Sequence, residues 1–231
     1  MRRQHVVVLS GAGISAESGL GTFRGSGGLW EGFRISDVAT PEGWERDPGK
    51  VLEFYNARRR AVAQALPNEA HVALARLEEL FKVTIITQNI DNLHQRAGST
   101  KIIHLHGEIV KARSSRDPSI ITEIGTRDIH LSDTCRLGSQ LRPHVVWFGE
   151  PVPMMEKAIE ITRSADIFLV VGTSLEVYPA ASLVECVPID AMKFLVDPQP
   201  AFVADESFHV VTAAATEGVP RVAGQLRSLM A

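Results

Sequence analysis

The residues best placed to do chemistry follow the apolar run "KVTIIT". Gln88, Asn89, Asp91, Asn92 and His94 crowd polar groups onto the end of that run. The bland alternative is a helix-capping turn with Asp91 or Asn92 as the cap. Next, "KIIHLHGEI" places His104 and His106 two residues apart on an extended segment, hence on one side of it, with Gly107 opening the chain beside His106. A lone histidine is more often structural than catalytic, and two beside a polar strand end shift that balance modestly.

Three other stretches carry candidate binding groups. In "SGAGISAESGLGTFRG", Gly11, Gly13 and Ala16 match the G-x-G-x-x-[G/A] spacing between a strand and a helix. Such glycines permit a tight turn and a close approach of backbone amides to a pyrophosphate; a plain strand-to-helix turn has the same look. The dehydrogenase form also needs an acid about 20 residues on, at the end of a second strand. Here that place falls in "FRGSGGLWEGF", which reads as loop, so hydride transfer loses ground. In "GTSLEVYPA", Gly172, Thr173 and Ser174 offer amides and hydroxyls for a second phosphate contact. In "EFYNARRR", Tyr55 and Arg58 share a helix face, which by itself reads as a solvated basic helix.

These groups need a scaffold that ends several strands at one place. Short β-branched runs at 5–9, 82–87, 144–148, 167–171, 193–196 and 208–211 alternate with helical patterns, as parallel strands joined by crossover helices do. Helices are expected over about 47–66, from an Asn68 cap through "NEAHVALARLEEL", over "MMEKAIEITRSA" and through the last dozen residues. Residues 25–66 and 111–143 fit the alternation badly and read as excursions that pack together as a second small domain. Ligands in such folds bind beyond the carboxyl ends of the strands, where the polar clusters lie.

Composition narrows the classes. With 231 residues and 45% hydrophobic content the chain can bury a full core, and a net charge of −3 with mixed signs gives no basis for expecting a nucleic-acid surface. Two cysteines, Cys135 and Cys186, are too few for a disulfide framework and suggest a reducing compartment. The apolar run after "MRRQ" is too short for a signal peptide, and nothing approaches the roughly 18 apolar residues of a membrane span. The expected setting is the cytoplasm.

In order and spacing, "GAGISAESGLGTFRG", "TQNIDNLHQRAG", "HLHGE", "LRPHVVWFGE" and "GTSLEVYPA" resemble the sirtuins, NAD-dependent protein-lysine deacylases, over nearly the whole chain. The resemblance implies an α/β fold: a Rossmann-like parallel-sheet domain (1–30, 67–110 and 144–231) with a smaller inserted domain (31–66 and 111–143), part helical and part a degenerate zinc ribbon. It implies that NAD⁺ is consumed: the acyl-lysine oxygen attacks the ribose, and nicotinamide, free lysine and O-acyl-ADP-ribose result. His106 matches the general base, Asn89 the residue orienting the ribose and a water, and Asp91 with Ile90 the nicotinamide contact. Gly11, Ala12, Gly13, Ile14, Ser15, Gln88, Gly172, Thr173, Ser174, Asp197 and Ala215 complete the cofactor contacts, with Phe23 and Arg24 on a covering loop. Acyl-lysine protein would lie as an extended strand between Phe148-Gly149-Glu150 and Leu175-Glu176-Val177, with Val146 and Phe148 lining the lysine channel. Tyr55 and Arg58 match a subgroup pair that reads succinyl or malonyl carboxylates. A monomer is expected; the alternative reaction at the same site is protein mono-ADP-ribosylation.

The chain departs from the family pattern at the structural zinc. Ser114, Asp117, Cys135 and Gly138 stand at or near the positions of two Cys-x-x-Cys pairs, and only one thiol remains. Rescue by His130, Asp133 or Asp117 would make an unusual site, so no zinc is expected. Gly21 replaces a common proline. Asp197 replaces a common asparagine, which favours NAD⁺ over NADP⁺ because a carboxylate repels a 2′-phosphate.

Overall fold

The run "HVVVLS" forms β1 (His5–Ser10) and is buried along its whole length, as a strand covered on both faces must be. The computed structural model describes residues 2–22, 29–30, 32–200 and 207–229. After β1 come a 3₁₀ helix (Ala12–Ser18), the strands β2 (Leu29–Trp30) and β3 (Phe33–Arg34), and the helices α1 (Ile35–Val38), α2 (Pro41–Arg46), α3 (Pro48–Gln64) and α4 (Glu69–Leu77). There follow β4 (Lys82–Thr87), α5 (Leu93–Arg96), β5 (Ile102–His104), β6 (Gly107–Ser114), β7 (Ile121–Glu123), β8 (Leu141–Val145) and α6 (Met155–Thr162). The chain closes with β9 (Ile167–Val171), a second 3₁₀ helix (Ala180–Cys186), β10 (Met192–Val196), β11 (Phe208–Val211) and α7 (Ala215–Ser228).

Six strands form one parallel sheet in the order β11-β10-β9-β1-β4-β5. The order reverses between β1 and β9, which opens a crevice at their carboxyl ends. Alternate residues of β1 serve opposite faces. Val6 and Val8 join a core with Leu74 of α4 and Val222 of α7, while Val7 and Leu9 join one with Ala158 of α6 and Leu183. Each such Val or Leu contributes about 1.5–3 kcal/mol on burial, so a continuous apolar run is what this position demands. Asn68 caps α4 by accepting from Ala70 N–H at 3.0 Å, and its amide donates to the Ile14 carbonyl at 2.8 Å. One side chain therefore both starts a helix and ties down the glycine turn after β1.

The expected strand 144–148 is corrected. Residues Leu141–Val145 form β8, which pairs antiparallel with β6 in a separate three-stranded sheet, β7-β6-β8. A β-branched run carries no mark of which sheet it joins; here Gly107 decides. Its φ is +81°, and a Cβ would collide with the His144 carbonyl. The chain thus turns after β5 and runs back along β8 instead of extending the main sheet. The polar stretch after residue 111 also holds strand: β7 pairs with β6 but is exposed throughout, so no apolar alternation marks it in the sequence. Leu52 of α3 packs with Ala112, Ile124, Ile129 and Leu141, and Asn56 exchanges two hydrogen bonds with the Ile129 backbone. Among the described residues no helix is long and apolar enough to cross a membrane.

Candidate active site

A cavity of about 620 Å³ follows the carboxyl ends of β1, β4, β9 and β10. Its first wall is the glycine turn. Gly13 N–H donates to the Gly172 carbonyl at 2.8 Å, and Gly11 N–H to that of Val171 at 3.0 Å. A Cβ on Gly11 would lie 2.7 Å from Thr173 Cβ, and one on Gly13 2.7 Å from Gly172 Cα. The two loops can touch only because both positions lack a side chain. The turn opens a short 3₁₀ helix rather than a long α-helix, so no long-helix macrodipole backs this wall. Gly11, Ala12, Gly13 and Ser15 border the cavity, as do Gly172, Thr173 and Ser174. Ile14 does not; its side chain is fully buried in the main core.

The second wall is the polar strand end after β4. Gln88 donates to Thr173 Oγ1 at 3.0 Å. Asn89 donates to Ser15 Oγ at 3.2 Å, and that hydroxyl donates to Asp91 Oδ2 at 3.0 Å. Asp91 Oδ1 accepts from Leu93 N–H at 3.0 Å, so the aspartate also supports the start of α5. Gln88, Asn89, Ile90 and Asp91 border the cavity. His94 turns away from it, pairing with Ser10 Oγ at 3.0 Å and packing edge-on against His71.

His104 and His106 separate, against the expectation that they share a side. β5 ends at His104, and the chain turns at Leu105 and His106. His104 contacts Gln95 and the Asn89 carbonyl, whereas His106 faces the cavity. His106 Nδ1 lies 2.9 Å from the Gln88 carbonyl. A carbonyl only accepts, so Nδ1 carries the proton and the lone pair of the neutral ring sits on Nε2. Burial lowers the His106 pKa below its ordinary 6.5 against the opposing pull of that carbonyl, which keeps the ring neutral and its Nε2 lone pair free.

Asp197, at the end of β10, and Ala215, at the start of α7, border the far part of the cavity. Asp197 is buried and accepts from Gln199 N–H at 2.8 Å. On the opposite side Val146, Phe148, Gly149, Glu150 and Val177 contribute, but Leu175 and Glu176 do not. The Glu150 carboxylate is already engaged by Arg113 at 2.9 Å, Arg142 at 2.7 Å and Trp147 N–H at 2.8 Å. Burial works against its charge, but the Arg142 hydrogen bond and the Trp147 amide outweigh it and hold the carboxyl below its usual range. Only the backbone of Glu150 is left for a substrate.

Tyr55 and Arg58, three apart on α3, both border the cavity. Tyr55 is fully buried, its oxygen 3.1 Å from Trp147 Nε1. Burial raises its pKa, so the phenol stays protonated. The Arg58 guanidinium lies 4.5 Å from the centroid of Trp30. Trp30 and Trp147 are sequence-distant from Arg58 and Tyr55, and no local spacing marks the contacts they make. Phe23 and Arg24 lie outside the described residues.

At the zinc positions, Ser114 Oγ lies 2.7 Å from Ser139 Oγ, which lies 3.1 Å from Cys135 Sγ. Ser114 Oγ also accepts from Asp117 N–H at 3.0 Å. A single thiol among hydroxyls does not fit a tetrahedral zinc site.

A model of the Sir2 family matches residues 11–179. The NAD-dependent protein deacylase of Bacteroides thetaiotaomicron is 51% identical over 222 residues, covering 94% of this chain and 95% of that protein. A Helicobacter pylori protein of the same name is 52% identical over 85% of each chain. A crystal structure of a Sir2 homolog–NAD complex superposes with a TM-score of 0.87 at 37% identity, covering 99% of this chain and 91% of that one. A Sir2 homologue bound to ADP-ribose gives 0.89 at the same identity, covering 99% and 94%. By the extent of the family match and by relatives at half identity along most of its length, this chain belongs to the Sir2 family.

Proposed function

We propose that the chain is an NAD-dependent protein-lysine deacylase that removes succinyl and malonyl groups as well as acetyl. The observation that carries this reading is that one cavity is bordered by a neutral, correctly tautomerised His106 and by the Tyr55/Arg58 pair. NAD⁺ fits the chemistry of the lining: close-packed glycine turns and hydroxyls for phosphates, and a buried carboxylate at Asp197 for ribose hydroxyls. When bound, it supplies a ribose carbon made electrophilic by its nicotinamide leaving group. Gly11, Ala12, Gly13, Ser15 and Gly172 to Ser174 would hold the phosphates, Gln88 and Asn89 the ribose near the reaction, Ile90 and Asp91 the carboxamide, and Asp197 and Ala215 the adenosine end. His106, with the Nε2 lone pair free, would accept a proton from a ribose hydroxyl. The substrate peptide runs past the backbones of Phe148-Gly149-Glu150 and Leu175-Glu176-Val177, and Val146 with Phe148 lines the lysine channel. In this reading the nucleotide lobe (1–30, 67–110 and 144–231) and the smaller lobe (31–66 and 111–143) close on the site from two sides.

Incubation with NAD⁺ and acetyl- or succinyl-lysine peptides, read by mass spectrometry, tests it. Loss of the acyl mass with release of nicotinamide is expected. Gain of an ADP-ribosyl mass on the protein or peptide, without acyl loss, would replace this reading with the transferase one. The smaller lobe is further proposed to carry no zinc, on the Ser114–Ser139–Cys135 donor set. Metal analysis after dialysis should give well under ~0.1 zinc per chain; a value near one overturns it.

A further inference from the structure

We infer that Trp147 is a positioning residue for the choice of acyl group, acting through Tyr55. This rests on the reading of Tyr55 and Arg58 as the acyl-recognition pair. The indole Nε1–H lies 3.1 Å from the Tyr55 oxygen, across 92 residues of sequence. An indole nitrogen only donates, so Tyr55 is the acceptor in this bond and its own hydroxyl hydrogen is not consumed by it. Among the described residues the Tyr55 hydroxyl has no other hydrogen-bond partner. Its hydrogen is therefore left for an acceptor in the cavity, and an acyl carboxylate provides one. A phenol that accepts a hydrogen bond also becomes a better donor, because linked hydrogen bonds polarise each other.

The indole is itself held on two sides. The Arg142 guanidinium carbon lies 3.2 Å from the ring centroid, and the Trp147 backbone N–H donates to Glu150 at 2.8 Å. Glu150 is in turn gripped by Arg142 and Arg113. Trp147 is almost wholly buried, so these contacts fix the indole in place, while Tyr55 borders the cavity. An acetyl group has no carboxylate to receive the phenol hydrogen. The contribution of Trp147 must therefore appear as a difference between acyl groups.

The test is Trp147→Phe, which keeps an aromatic ring against Arg142 and removes the N–H. The readout is the ratio of kcat/KM for a succinyl-lysine peptide to that for the acetyl-lysine peptide, on one preparation. That ratio should fall about fivefold, the size of one neutral hydrogen bond. In a Tyr55→Phe background, Trp147→Phe should shift the ratio no further. An unchanged ratio, or a full additional shift in that background, overturns the inference, since lost packing would slow both substrates alike. If Trp147→Phe does not fold, site-specific replacement of Trp147 by 3-benzothienylalanine keeps the bicyclic shape without the N–H, and the same ratio decides. Wild-type protein that leaves succinyl-lysine intact while removing acetyl overturns the acyl-recognition reading itself, a result visible before any variant is made.

Discussion

Replacing His106 by alanine is expected to lower kcat/KM by about 10²–10⁴-fold on every acyl-lysine peptide, the usual contribution of a positioned general base. Because the role is proton transfer from the ribose, acetyl and succinyl substrates should suffer alike. Steady-state nicotinamide release checks this, and a loss below about fivefold would remove His106 from the chemistry. The pH profile carries a second check. Burial lowers the His106 pKa against the pull of the Gln88 carbonyl, so kcat/KM should fall on the acid side with a midpoint below the ordinary imidazole value of about 6.5. That limb must be measured with the folded fraction monitored. Burial also lowers His71 to about 4, and lowers His94 and His104. The unfolded chain takes up protons near 6.5 that these folded imidazoles refuse, so stability itself erodes as pH falls below that value.

Arg58→Met is expected to cut desuccinylation by about 10- to 100-fold, the worth of a charge-assisted hydrogen bond lost from a buried site. Methionine keeps an unbranched apolar stem, so the packing of α3 should survive. Deacetylation should change by no more than about threefold. The paired assay decides: equal loss of both activities would mean that Arg58 holds the helix or the loop at Gly21, whose carbonyl it reaches at 3.3 Å, rather than the substrate.

The three successive arginines of "EFYNARRR" show how much the sequence could say. Helical geometry turns each by about 100° from the last, so they cannot share one fate. Arg58 reaches the cavity, Arg59 is fully buried and donates to the Ile109 carbonyl at 2.7 Å, and Arg60 pairs with Asp128 at the surface. A reading of the helix as a solvated basic face is right for the third only. The parallel strands were legible because burial on both faces leaves a continuous apolar run. The sheet that β8 joins was not, because the turn at Gly107 depends on the approach of a carbonyl from a segment 37 residues away. Likewise His106 was marked by its motif. The clamp on Glu150 and the bond from Trp147 to Tyr55 join distant residues, and no local spacing announces them.

The Glu150 clamp has a consequence in proton counting. A depressed carboxyl adds stability that is present above its unfolded pKa and disappears only as pH falls through the lower, folded value. Across the neutral range the segment Trp147–Glu150 therefore neither gains nor loses a proton, and its ionic anchorage stays constant. A titration of activity over that range, read on the folded fraction, therefore reports on imidazoles and not on this carboxylate.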